Sequence, residues 1–137
     1  MSQSQRFSFE PKPDAFGVID FVPQLSFTLL NRNYSLQVSG LLDTGASVNV
    51  LPYDLGIELG AIWSEQTTLV RLGGNLASTE AKGIILNAQI SNFIPARLAF
   101  AWSRSNDVPV LLGRTNFFQE FDVCFYTSLK QFELTQR

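Results

Sequence analysis

The sequence predicts an all-β fold carrying one or two short helices, and three observations lead there. Apolar and polar residues alternate with a period of two in runs at 25–29, 34–39, 67–72 and 93–102, the signature of half-buried strands. Twelve of the 137 residues are Phe, and aromatic and β-branched side chains suit the pleated surface of a sheet. Asn- and Gly-rich breaks at residues 31–33 and 73–75 divide the alternating runs as hairpin turns do. With 45% hydrophobic and 16% charged residues, the chain can bury a core, and its length is that of about one domain. There is no internal repeat and no low-complexity segment.

Residues 1–24 read as an N-terminal arm, and 25–137 as the domain proper with a C-terminal hairpin. The arm begins polar and contains Pro11 and Pro13, so an extended segment is expected there rather than a packed element. Residues 25–29 alternate, Asn31-Arg32-Asn33 turns the chain, and Tyr34, Leu36 and Val38 alternate with Ser35, Gln37 and Ser39. This hairpin delivers Asp43. An apolar strand follows at 48–51; Pro52 then opens a short helix with Leu55 and Leu59 on one face, Gly56 as its weak point and Gly60 as its end.

Residues 67–72 alternate again, Gly73-Gly74-Asn75 breaks the run, and 79–90 are extended, which predicts a hairpin with a glycine-rich tip. Residues 93–102 form a further strand, with Pro95 pointing to an edge or a bulge, and 103–107 a polar loop. Leu111-Leu112-Gly113 is an apolar run ending in a glycine and is expected to be buried. Residues 115–120 fit a short helix, and 121–126, 127–130 and 131–134 read as strand, turn and strand.

Composition removes several kinds of chemistry. The chain has no histidine, which excludes Ser-His-Asp and Cys-His catalysis and most zinc sites. Its one cysteine, Cys124, cannot form an intrachain disulfide and reads as a buried strand residue. A net charge of −2 and a pI near 5.0 give no electrostatic footprint for nucleic acid or an acidic membrane. No apolar stretch has the length of a membrane span, and the polar start has no signal-peptide core, so a cytoplasmic location is the expectation. Neither a metal nor an organic cofactor is implied.

One stretch points to chemistry that survives these exclusions. Leu41-Leu42-Asp43-Thr44-Gly45-Ala46-Ser47 sets a carboxylate in a tight turn directly after an apolar strand and before another. Seventy residues beyond Asp43 comes Gly113, in Val110-Leu111-Leu112-Gly113-Arg114. Together, in this order and at this separation, the two motifs resemble the signature of the retroviral-type (retropepsin-like) aspartic proteases over residues 25–125.

That resemblance implies an acid-protease barrel with one half-site per chain. Hydrolysis of a peptide needs a base to take a proton from water and an acid to protonate the carbonyl oxygen, and two carboxyls sharing one proton supply both. Two-lobed relatives carry two Asp-Thr-Gly half-sites in a much longer chain, whereas this one has a single copy. A C2 homodimer brings Asp43 to its own symmetry mate. In the resemblance Asp43 is catalytic. Thr44, Gly45, Ala46 and Ser47 support its loop, with Gly45 letting backbone N–H groups approach the carboxylate. Leu72, Gly73, Gly74 and Asn75 form a flap that closes over substrate, and Leu112, Gly113 and Arg114 brace the loop from behind. Family members pair this Arg with an acid two positions after the Asp-Thr-Gly glycine. Here that position is Ser47, so Arg114 is expected to meet a carboxylate elsewhere or to stay solvated.

The expected activity is that of an aspartic endopeptidase acting on an extended peptide or protein, with itself as the other partner and no nucleic acid or membrane. The alternative is a dimerisation or peptide-binding module on the same fold, against which the intact Asp-Thr-Gly argues. A further reading is a protease domain processed from a polyprotein, with Met1 favouring a stand-alone protein.

Overall fold

The computed structural model describes residues 3–137. The alternating runs form the strands. β4 (Gln24–Asn31) and β5 (Tyr34–Leu42) form the expected hairpin, in register from Gln24↔Leu41 to Asn31↔Tyr34. β6 (Asn49–Leu51) is fully buried. β7 (Leu69–Val70), β8 (Ala81–Gln89), β9 (Ala96–Ser103) and β10 (Leu111–Leu112) complete a sheet of order β4-β5-β10-β6-β9-β8-β7. A further pairing of β4 with β8 joins the two ends, so six strands close into a barrel with β7 attached at its rim. Closure leaves few free edges. It also buries the inward side chains Leu25, Phe27, Leu29, Leu86, Leu98, Phe100 and Leu112 in one core.

Two short helices sit where the sequence places them. α1 (Tyr53–Glu58) starts just after Pro52, and Gly60, with φ +76°, ends it. There the Gly60 N–H donates to Ile57 O and the Ala61 N–H to Gly56 O, so left-handed backbone satisfies two carbonyls that would otherwise be orphaned. Gly56 is more than a weak point in that helix. It is buried against the Trp102 indole, into which any Cβ would run. Trp102 in turn donates from Nε1 to Tyr53 O at 3.0 Å and stacks on the Tyr53 ring. α2 (Phe117–Glu120) packs Phe117 on Phe121.

Four expectations need correction. The N-terminal arm is extended but not unpacked. β1 (Ser4–Ser8) pairs with β12 (Gln131–Gln136), which pairs with β11 (Phe121–Tyr126), in a three-stranded sheet of order β1-β12-β11. Phe7 stacks on the buried Phe132, a burial that its polar neighbours concealed. β2 (Glu10–Pro13) and β3 (Ile19–Val22) form a separate ribbon. Pro95 precedes β9 rather than marking an edge, and β9 lies between β6 and β8. Cys124 is exposed, because it alternates along β11 with Phe121, Val123 and Phe125, which take the inward side.

The fourth correction concerns the glycine-tipped hairpin. Only Leu69 and Val70 of the expected 67–72 strand pair with β8, opposite Lys82 and Ala81. Residues 71–80 instead form a long loop containing a 3₁₀ turn at Gly74–Leu76. The reason is a tertiary anchor: Leu72 is buried in a small second core with Val50, Ala81, Ala101 and Val108, which draws the chain off the ladder. Among the described residues, no helix is long and apolar enough to cross a membrane.

Candidate active site

Asp43 follows β5 directly, and β10 holds it from behind. β10 runs parallel to β5, with Leu111↔Leu41 and Leu112↔Leu42. The Asp43 N–H donates to Leu112 O at 3.0 Å. Farther along, the Arg114 N–H donates to Ala46 O and the Thr115 N–H to Ser47 O, each at 2.9 Å, and the Asn49 N–H returns to Thr115 O at 3.0 Å. Both arms of the 43–49 loop are thus tied to one strap, 112–115.

Within the loop the turn is tight. Ala46 N–H donates to Asp43 O at 3.1 Å, and Gly45 N–H donates to Asp43 Oδ1 at 2.9 Å. A Cβ at Gly45 would lie 3.2 Å from that same oxygen, so a side chain there would press on the carboxylate. Gly113 is restricted more severely: its Cβ would lie 2.5 Å from Val48 O and 2.8 Å from Ala46 O. Only glycine lets the strap pass this close beneath the loop. Asp43 is half-buried, while Thr44 and Gly45 face solvent.

Arg114 meets neither a carboxylate nor solvent alone. Its Nη1 donates to the Thr44 carbonyl at 2.8 Å. With Ser47 offering no charge, the guanidinium takes a main-chain acceptor and ties the strap to the loop.

Sequence reading missed the residue at the centre of this scaffold. Asn49 is completely buried. Its Oδ1 accepts the Gly113 N–H at 2.8 Å, while its Nδ2 donates to Ala99 O at 2.9 Å and to Asn116 Oδ1 at 3.2 Å. Asn116 also accepts from Ala99 N–H and donates to Arg97 O. Two amides thereby lock strap, loop and β9 together. The available signal was an Asn inside the apolar run Val48-Asn49-Val50-Leu51, since a polar group in a buried strand must be paired.

Asp43 opens into a cavity of about 270 Å³. Gly45, Ala46 and Ser47 line one side, Leu72, Gly73, Gly74, Asn75 and Leu76 the other, and Val50 and Leu111 lie between. The structure thus brings the residues expected as catalytic loop and flap to one cleft. Leu72 serves as the buried anchor of the 71–80 loop, whereas Gly73, Gly74 and Asn75 are its exposed part. Leu112 and Gly113 are buried behind the loop and outside the cleft. Beyond Val48, a second hollow of about 510 Å³ is lined by apolar residues that include Val70, Ile84, Ile85 and Phe100, together with Gln66, Thr68 and Thr115.

No protein-family model and no curated protein matches the sequence. Among solved structures, the chain is similar to the crystal structure of a retropepsin-like aspartic protease from Rickettsia conorii. The match has a TM-score of 0.65 and 16% identity, over 99% of this chain and 94% of that one. The likeness, together with the six-stranded barrel, establishes the fold as retropepsin-like.

Proposed function

We propose that this protein is an aspartic endopeptidase, active as a C2 homodimer in which Asp43 of each copy supplies one carboxyl of the catalytic pair. The observation that carries the proposal is the Asp43-Thr44-Gly45 turn, pinned by Leu112 and Arg114 and opening into the cleft beneath the 71–80 loop. Burial of a second Asp43 beside the first keeps one proton on the pair, since ionising both would cost mutual repulsion; aspartic proteases are the standard instance of this effect. The ionised carboxyl takes a proton from a water held between the two, and the protonated one donates to the carbonyl oxygen as water attacks. Gly45 N–H holds Asp43 Oδ1 in place for that exchange. In this reading Thr44, exposed beside it, meets its counterpart in the second copy.

An extended peptide fits a cleft of this form, with backbone pairing to the 71–80 loop and side chains entering apolar hollows. The hollow beyond Val48 favours apolar residues near the cleaved bond. Residues 71–80 act as the flap, which closes to exclude water.

The test is Asp43→Asn, assayed on a diverse peptide library with cleavage sites read by mass spectrometry. The amide preserves shape and removes the base, so hydrolysis should vanish while circular dichroism and self-association stay unchanged. Wild-type turnover in a variant free of contaminating protease rules the mechanism out. A wild-type protein that binds extended peptides and cleaves none at any pH points instead to a binding module.

A further inference from the structure

Between β1 and β4 the chain runs out as a separate ribbon that touches the body at its base, where Lys130 Nζ lies 4.0 Å over the Phe21 ring. β2 and β3 pair with each other, from Glu10↔Val22 to Pro13↔Ile19, and every residue from 10 to 21 is exposed. The ribbon is nevertheless well made. At its tip the Asp14 carboxylate accepts from the N–H groups of Phe16 and Val18 at 2.8 and 3.0 Å, and the Asp14 N–H donates to Val18 O at 2.8 Å. Such an aspartate-centred turn is an ordered reversal and not a slack connection.

Its two faces differ in chemistry. Cross-strand partners share a face, so Pro11 with Phe21 and Pro13 with Ile19 make one side apolar, while Lys12 with Asp20 makes the other charged. Phe16 is 90% exposed, Val18 62%, Ile19 58% and Phe21 38%. An isolated two-stranded ribbon is marginal in water, and an apolar side on such a ribbon calls for a cover. The prolines leave β2 with few N–H groups to offer, so that cover packs on the face rather than extending the strand.

The position of the ribbon decides what covers it. β3 leads through Pro23 into β4, and Pro23 O accepts the Leu42 N–H at 3.0 Å, one residue before Asp43. The proposed chemistry needs a second Asp43 against the first, which places the two-fold axis beside Asp43 and brings the roots of both ribbons to it. We infer that the 10–22 ribbon is the clamp that joins two copies of this chain, with its apolar face and Phe16 tip seated on the partner. This inference rests on the proteolytic reading, because the half-site is incomplete without a second copy.

The test compares wild type with the double variant Phe16→Ser/Ile19→Ser by sedimentation equilibrium over a wide concentration range, with peptide hydrolysis on the same samples. Both side chains are exposed, so thermal unfolding of the dilute variant should match wild type. The dimer dissociation constant should rise by at least about tenfold, and hydrolysis should reappear at correspondingly higher concentration. Independently of any variant, amide hydrogen exchange of residues 14–21 in wild type should slow as concentration crosses the association range. A variant that dimerises as tightly as wild type, ribbon amides indifferent to concentration, or a wild type that stays monomeric would each overturn the clamp. The two readings separate cleanly. A cleaving dimer indifferent to the ribbon sinks the clamp alone, whereas ribbon-dependent dimers that cleave nothing uphold the clamp and sink proteolysis.

Discussion

At the scale of single residues, the candidate site depends on groups that never reach the cleft. Asn49→Ala removes the acceptor of Gly113 N–H and one donor to Ala99 O, both deep in the molecule. Each orphaned buried group costs about 1–3 kcal/mol, so chemical denaturation should show a clear loss of stability. Because the strap that Asn49 holds also braces Asp43 through Leu112 O, turnover should fall with little change in KM. A variant that is destabilised but cleaves at the wild-type rate would show that Asn49 supports the fold without positioning the site. Gly113→Ala should be worse on both counts, since the new methyl group meets main-chain oxygens of the loop and not a flexible side chain. Of these residues, Asp43 and Gly113 were legible in the sequence, because motif and spacing name them. Asn49 was hidden by the apolar run around it, whereas Arg114 was named by its motif and only its acceptor, Thr44 O, was not. Both depend on acceptors that only folding brings near.

At the scale of elements, the 71–80 loop makes the most direct prediction. Gly74 has φ +59°, a left-handed conformation that costs a residue with a Cβ about 1 kcal/mol or more, whereas Gly73 is extended; neither has a neighbour within 4 Å of a Cβ. Gly73→Ala should therefore be nearly silent, while Gly74→Ala should disturb the 3₁₀ turn and lower turnover more than stability. Equal activity in both variants would argue that this loop does not close over substrate. The twin glycines are visible in the sequence as a tip, yet the loop they belong to was not, because alternation through 67–72 cannot announce that Leu72 leaves the ladder for a separate apolar cluster.

For the whole molecule, the expected behaviour is that of a shared site. Specific activity should fall on dilution below the dimer dissociation constant. An excess of Asp43→Asn protein should poison the wild type once subunit exchange is demonstrated, since mixed pairs hold one carboxyl and one amide. The pH profile of hydrolysis should be bell-shaped, because the pair is idle when both carboxyls are protonated and again when both are ionised. Undiminished cleavage by a verified monomer would require a second carboxylate from the same chain, and a profile flat from acid to alkaline pH would exclude a shared proton.

What the sequence determined by itself was local and periodic: the strand alternation, the glycine that ends α1, the Asp-Thr-Gly turn and the second motif that braces it. These are set by neighbours a few residues apart, where backbone geometry and side-chain period leave few choices. The closure of six strands through β4 and β8, the insertion of β1 beside β12, the outward turn of Cys124 and the burial of Asn49 were decided only in three dimensions. Each depends on which surfaces remain uncovered after distant segments have packed, and burial is a property of the assembled core that no local pattern encodes.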